Sequence, residues 1–76
     1  MSTIVYTKTN CSFCVKAKDL LTKENIEYTE ISLDDEVTRG VFLEQFPGVR
    51  TVPYIIIDDE KVGTYDNLVE YLKQSK

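Results

Sequence analysis

Cys11 and Cys14 are the only cysteines of this 76-residue chain, and both fall within the stretch YTKTNCSFCVKAKDLL. Two thiols can form a structural disulfide, contribute to a metal site or act as a redox pair. A bridge across two intervening residues closes a very small loop, and it stabilises little because loop-closure entropy grows with loop length. A structural zinc site takes four side-chain ligands, whereas this chain has no histidine and no third cysteine. The remaining reading is a Cys-x-x-Cys pair that performs thiol–disulfide exchange. In that chemistry the thiolate attacks, and a free thiol with a pKa of ~8.5 stays mostly protonated at neutral pH. Unpaired N–H groups and the dipole at a helix N-terminus favour the anion, and Lys8 adds a cationic neighbour to Cys11. Cys14, one helical turn along, turns toward the interior, where desolvation favours the neutral thiol. The asymmetry assigns attack to Cys11 and resolution to Cys14.

That assignment requires a helix beginning at the cysteines. Ile4, Val5 and Tyr6 form a short β-prone run that ends at the polar Thr7-Lys8-Thr9-Asn10. From Ser12 to about Glu24, Phe13, Ala17, Leu20 and Leu21 recur at helical spacing, and Asn25 ends the pattern. Alternation over Ile26 to Leu33 predicts a second strand, parallel to the first. Asp34, Asp35 and Glu36 supply an acidic first turn for a helix carrying Val37, Val41, Phe42 and Phe46, which stops at Pro47-Gly48. Tyr54 to Ile57 is a β-branched strand, and Asp58-Asp59-Glu60 reads as a hairpin turn into a partner strand with Val62 that ends at Gly63. Leu68, Tyr71 and Leu72 mark a closing helix that starts near Asp66 or Asn67. Tyr6, Tyr28, Tyr54 and Tyr71 read as packing residues.

Composition narrows the function further. A length of 76 residues predicts one domain spanning 1–76, close to the size at which a single core just suffices. The net charge of −4 and pI near 4.6 lack the basic footprint of a nucleic-acid binder. No apolar run approaches the ~20 residues of a membrane span, and Met1-Ser2-Thr3 leads into a strand without a secretory signal. A cytoplasmic chain without membrane or nucleic-acid partners is expected.

The order β-α-β-α-β-β-α, with Cys-x-x-Cys after the first strand and Val52-Pro53 before the third, resembles the thioredoxin fold, an α/β architecture with a four-stranded mixed sheet flanked by helices. More narrowly, Tyr6-Thr7-Lys8, Cys11-Ser12-Phe13-Cys14, Arg50-Thr51-Val52-Pro53 and Gly63-Thr64-Tyr65-Asp66 fall in the order and spacing of a dithiol glutaredoxin. The resemblance implies a monomeric glutathione-dependent oxidoreductase that reduces protein disulfides and glutathionylated proteins, with glutathione as co-substrate and no metal. It also implies a cis Pro53 that faces the redox cysteine and presents the Val52 backbone to an extended substrate. The implied glutathione-binding residues are Lys8, Phe13, Arg39, Arg50, Thr51, Val52, Pro53, Tyr65 and Asp66. On the second helix the family position aligns with Gly40, and Arg39, one residue earlier, is the basic candidate. Thr64 replaces the second glycine of the family's Gly-Gly, where a Cβ strains any positive-φ backbone, and Asp66 or Asn67 is expected to cap the helix. Two alternatives stay open. One is a thioredoxin-like electron donor served by a reductase, for instance to ribonucleotide reductase, although the chain lacks the tryptophan that precedes the cysteines in ordinary thioredoxins. The other is a carrier in which two chains share one 2Fe-2S cluster through Cys11 and two glutathiones.

Overall fold

The computed structural model describes residues 2–49 and 51–74. Strand β1 (Thr3–Thr7) lies inside the sheet, buried along nearly its whole length. A strand covered on both faces needs no apolar–polar alternation, which explains the compact run Ile4-Val5-Tyr6. On one side β1 pairs in parallel with β2 (Thr29–Ser32), and on the other it pairs antiparallel with β3 (Tyr54–Ile57), placing Val5 opposite Ile55 and Tyr6 opposite Tyr54. Strand β4 (Glu60–Gly63) pairs antiparallel with β3 and completes the order β2-β1-β3-β4. The parallel pair demands a crossover, and α1 (Ser12–Lys23) provides it. With α2 (Glu36–Gln45) and α3 (Tyr65–Gln74), the element order and mixed sheet are those of the thioredoxin fold.

Several boundaries differ from the sequence expectation for identifiable reasons. Helix α1 ends in a Schellman motif: Asn25, at φ 60°, donates to the Thr22 carbonyl and Ile26 donates to the Leu21 carbonyl at 2.9 Å. That motif uses the start of the expected second strand, so pairing with β1 begins only at Thr29. The β3–β4 turn consists of Asp58 and Asp59 alone, both at positive φ, and Glu60 already pairs with Ile57. On α2, Phe42 and Phe46 face the sheet, whereas Val37 and Val41 are 74% and 49% exposed. A single helix on that face needs only one narrow apolar stripe.

The sheet separates two cores. Val5, Ile55 and Ile57 pack with Ala17, Leu21 and Leu68 beneath α1 and α3. Tyr6 and Tyr54 pack with Leu33 and Phe42 beneath α2, and the Tyr6 and Phe42 rings are 4.7 Å apart. Both tyrosines are packing residues, as expected, and burial pushes the Tyr54 hydroxyl's pKa up. No helix among the described residues is long and apolar enough to cross a membrane.

Polar contacts tie the elements together. Glu30 on β2 accepts hydrogen bonds from the Thr7 hydroxyl at 2.8 Å and the Lys18 ammonium at 3.0 Å, joining β1, β2 and α1. Those two bonds hold the Glu30 carboxyl below the usual glutamate range. Asp35 caps α2 by accepting from the Thr38 N–H at 3.0 Å and the Thr38 hydroxyl, which lowers its carboxyl in the same way. Asp34 leaves the helix and instead accepts from the Thr9 hydroxyl, the Thr9 N–H at 3.0 Å and the Ser32 hydroxyl; the Thr9 bonds chiefly lower its carboxyl.

Two outcomes follow for stability. Leu68→Ala should cost about 2–5 kcal/mol in urea unfolding, because a fully buried side chain would leave a cavity under the sheet. The three carboxyls have folded-state pKa values below their unfolded ones, so the stability they contribute is complete above about pH 5 and is lost as pH falls through the folded values. Thermal midpoints should therefore hold from neutral pH to about pH 5 and drop below about pH 4, with a shallower drop in Asp34→Asn.

Candidate active site

A tight backbone turn delivers Cys11 to the start of α1. Asn10 adopts φ 60°, a left-handed conformation that asparagine tolerates, and Cys11 returns to extended geometry as the N-cap. Its sulfur accepts the Cys14 N–H at 3.1 Å, the bond a serine or aspartate oxygen makes at other helix starts. No acidic residue occupies the first turn of α1. The same donor and field that satisfy the helix end therefore stabilise negative charge on Cys11. The two sulfurs are at disulfide-bonding distance with Cα atoms 5.2 Å apart. Cys14 is 2% exposed and Cys11 is half-buried, as the sequence asymmetry required.

Val52 faces this sulfur from the other side of the site. Its carbonyl oxygen lies 3.9 Å from Cys11 Sγ, and the Val52–Pro53 peptide bond is cis with Pro53 fully buried. Cavities open on both sides of Val52. One, of about 260 Å³, is lined by Lys8, Arg39, Thr51 and Val52 together with Asp34 and Phe42. The other, of about 290 Å³, is lined by Phe13, Thr51, Val52, Pro53, Tyr65 and Asp66. Phe13 is half-exposed, and its ring centroid lies 5.9 Å from that of Tyr65. Lys8, Phe13, Arg39, Thr51, Val52, Pro53, Tyr65 and Asp66 thus line one continuous surface beside the cysteines. Arg50 lies outside the described residues.

The turn into α3 departs from expectation. Thr64, rather than Asp66 or Asn67, holds the N-cap position, since its carbonyl accepts the Leu68 N–H at 2.9 Å. Asn67 Oδ1 reaches back to accept the Thr64 N–H at 3.1 Å and the Thr64 hydroxyl at 3.0 Å, the return half of a capping box with asparagine in place of glutamate. Gly63 carries the positive φ of 113°, so the Cβ of Thr64 meets no strain. A Cβ at position 63 would stand 2.6 Å from Asn67 Oδ1, which is why glycine is required there. Asp66, in the first turn, is left exposed and lines the second cavity.

Asp34 was not legible as a site residue. It clamps Thr9, two residues before Cys11, to the β2–α2 connection. A bond across 25 residues leaves no local pattern to find. The three-residue spacing of Thr64 and Asn67, by contrast, is that of a capping box, a local signal from which the cap can be read.

On reduction, the geometry predicts that iodoacetamide at about pH 6 labels Cys11 ahead of Cys14, because only Cys11 combines access with a donor aimed at its sulfur. Peptide mass spectrometry after a timed quench reads the order directly, and first labelling at Cys14 would contradict it.

Comparison with known proteins agrees with this geometry. The Glutaredoxin family model matches residues 3–62. Glutaredoxin 1 of Rickettsia conorii is 37% identical over 75 residues, an alignment covering 96% of this chain and 74% of the relative. Glutaredoxin 1 of Escherichia coli is 29% identical over 82 residues, covering 99% of this chain and 96% of the relative. Among solved structures, glutaredoxin 1 from Francisella tularensis complexed with cacodylate superposes with a TM-score of 0.83 at 31% identity, covering 97% of this chain and 94% of that one. The buckwheat glutaredoxin–glutathione complex gives a TM-score of 0.81 at 29% identity, covering 97% of this chain and 70% of that one. With the family match over most of its length and a cysteine pair at disulfide distance on the thioredoxin fold, the chain belongs to the glutaredoxin family and is a thiol–disulfide oxidoreductase.

Proposed function

We propose that this chain uses glutathione to reduce glutathione mixed disulfides and protein disulfides, with Cys11 as the nucleophile and Cys14 as the resolving thiol. The observation that carries the reading is the pair of cavities flanking Val52 beside the Cys11 sulfur. Glutathione, γ-Glu-Cys-Gly, has a carboxylate at one end and a carboxylate with an ammonium at the other. Lys8 and Arg39 suit the glycine carboxylate, and the family resemblance adds Arg50, next to Thr51 in the sequence, as a further cation for it. The N-terminal turn of α3 and Asp66 suit the γ-glutamyl carboxylate and ammonium respectively. Because Thr64 gives its N–H to Asn67, the donors left for the γ-glutamyl end are those following it in the helix. The buckwheat glutaredoxin–glutathione complex supports the same ligand class.

The steps balance with glutathione alone. The Cys11 thiolate attacks the glutathionyl sulfur of a mixed disulfide, and the protein thiolate leaves and takes a proton from water. A second glutathione thiolate then attacks that glutathionyl sulfur, releasing glutathione disulfide and restoring Cys11. When the substrate is a protein disulfide, Cys11 becomes tethered to the substrate. The Cys14 sulfur, one helical turn away, then attacks Cys11 Sγ at high effective concentration, frees the substrate thiol and closes the Cys11–Cys14 disulfide. Two glutathiones reopen that disulfide and leave as glutathione disulfide.

No group of three or more metal-ligating side chains converges among the described residues, so a 2Fe-2S cluster would need Cys11 sulfurs from two copies and two glutathione thiols. Visible absorbance of an anaerobic preparation tests that reading.

The function is tested by turnover with glutathione and glutathione reductase on a glutathione mixed disulfide, run in parallel with thioredoxin reductase. Turnover with glutathione is expected; turnover with thioredoxin reductase alone would favour an electron donor of the kind that serves ribonucleotide reductase. In the same assay Cys11→Ser should abolish activity, whereas Cys14→Ser should keep it on the mixed disulfide and lose most of it on a protein disulfide. Equal loss on both substrates in folded Cys14→Ser would mean that every cycle passes through Cys14.

A further inference from the structure

The two cavities differ in charge as well as position. Lys8 and Arg39 line the first, and neither forms an ion pair with a described residue. Asp34 also lines it, but its two oxygens already accept the Thr9 N–H and the hydroxyls of Thr9 and Ser32. The formal charge there is net positive. In the second cavity, Asp66 is the one formal charge among the lining residues, set beside the rings of Phe13 and Tyr65. Lys16 lies over the Phe13 ring at 4.8 Å but does not line that cavity.

Backbone direction converts this polarity into a sequence preference. Val52 precedes β3 and makes no hydrogen bond from its N–H or C=O to another described backbone group. One substrate residue that bonds both groups of Val52 must run antiparallel to it, because only antiparallel pairs exchange both bonds between the same two residues. Thr51 and Val52 line both cavities, but Val49 before them lines only the Lys8–Arg39 cavity and Pro53 after them only the Phe13–Asp66 cavity, so the chain runs from the first toward the second. A substrate cysteine opposite Val52 therefore sends its N-terminal side toward Phe13, Tyr65 and Asp66, and its C-terminal side toward Lys8 and Arg39.

We propose that this groove selects peptide disulfides by direction of charge, favouring arginine on the N-terminal side of the substrate cysteine and glutamate or aspartate on the C-terminal side. The proposal rests on the reading of Cys11 and Val52 given under Proposed function. Arginine suits the second cavity on two counts, since its planar guanidinium pairs with a carboxylate and stacks on aromatic rings. Acidic side chains suit Lys8 and Arg39. The reaction is self-contained in the reduced protein. Cys11 attacks one sulfur of the peptide disulfide, and one peptide leaves as its thiol. Cys14 then attacks Cys11 Sγ, releasing the second peptide and leaving the protein oxidised to its disulfide.

The test is single-turnover oxidation of the pre-reduced protein by the homodisulfides of two peptides of identical composition, Ac-Gly-Arg-Arg-Cys-Glu-Glu-Gly-amide and Ac-Gly-Glu-Glu-Cys-Arg-Arg-Gly-amide. Each rate is divided by the rate of the same disulfide with dithiothreitol, which removes intrinsic differences in thiol reactivity, and glutathione disulfide is run alongside. The first peptide should react roughly fivefold faster than the second at low salt, and Arg39→Glu should shrink that ratio. Equal rates, with glutathione disulfide still reduced, would overturn the directional preference and leave the glutathione reading intact. A reversed ratio would overturn the antiparallel placement on Val52. Loss of reaction with glutathione disulfide alone, with the fivefold ratio preserved, would overturn the glutathione reading and support the peptide preference.

Discussion

The hydrogen bond from the Cys14 N–H to the Cys11 sulfur is the interaction around which this molecule is organised. It makes the reactive atom part of the helix it starts. Every helix leaves its first N–H groups unsatisfied, and here one of them points at sulfur rather than at water or a serine hydroxyl. The arrangement requires α1 to begin at Ser12, which in turn requires the left-handed Asn10 and a loop held in place from outside. Asp34 provides that hold through Thr9. The chemistry of the sulfur is thus inseparable from the local architecture of the helix end.

The rest of the fold carries the second half of the site to this sulfur. Because β3 pairs antiparallel with β1, the start of β3 meets the end of β1 at Tyr6 and Tyr54, beside the loop bearing Cys11. The aromatic packing of Tyr6, Phe42 and Tyr54 secures that junction on one face, and Val5, Ile55, Leu21 and Leu68 secure it on the other. Val52 is left just outside the strand with its backbone unused by the sheet. A buried Pro53 donates no N–H and leaves Val52 at the sheet's end as the nearest backbone to an incoming chain.

Charge is distributed with the same economy. Asp35 caps a helix, Glu30 ties α1 to the sheet through Lys18 and Thr7, and Asp34 clamps the active loop. Lys8, Arg39 and Asp66 remain exposed around the cavities. Their placement on two sides of one backbone segment gives the groove a direction that a uniformly charged surface would lack.

The sequence by itself determined the order of elements, the start of α1 at the cysteines, the buried character of Cys14 and the family to which the chain belongs. Each of these is written in local pattern: spacing of apolar residues, turn chemistry and ordered motifs. Tertiary structure decided what local pattern cannot encode. It set where β2 begins, because the Schellman motif at Asn25 takes residues the alternation had suggested for the strand. It turned Val37 and Val41 to solvent, because one helix on one sheet face buries only a narrow stripe. It also brought Asp34 into contact with Thr9 and set Arg39 and Lys8 around one cavity, although these residues are far apart in the chain. Such meetings depend on how the elements pack, and no window of sequence contains both partners.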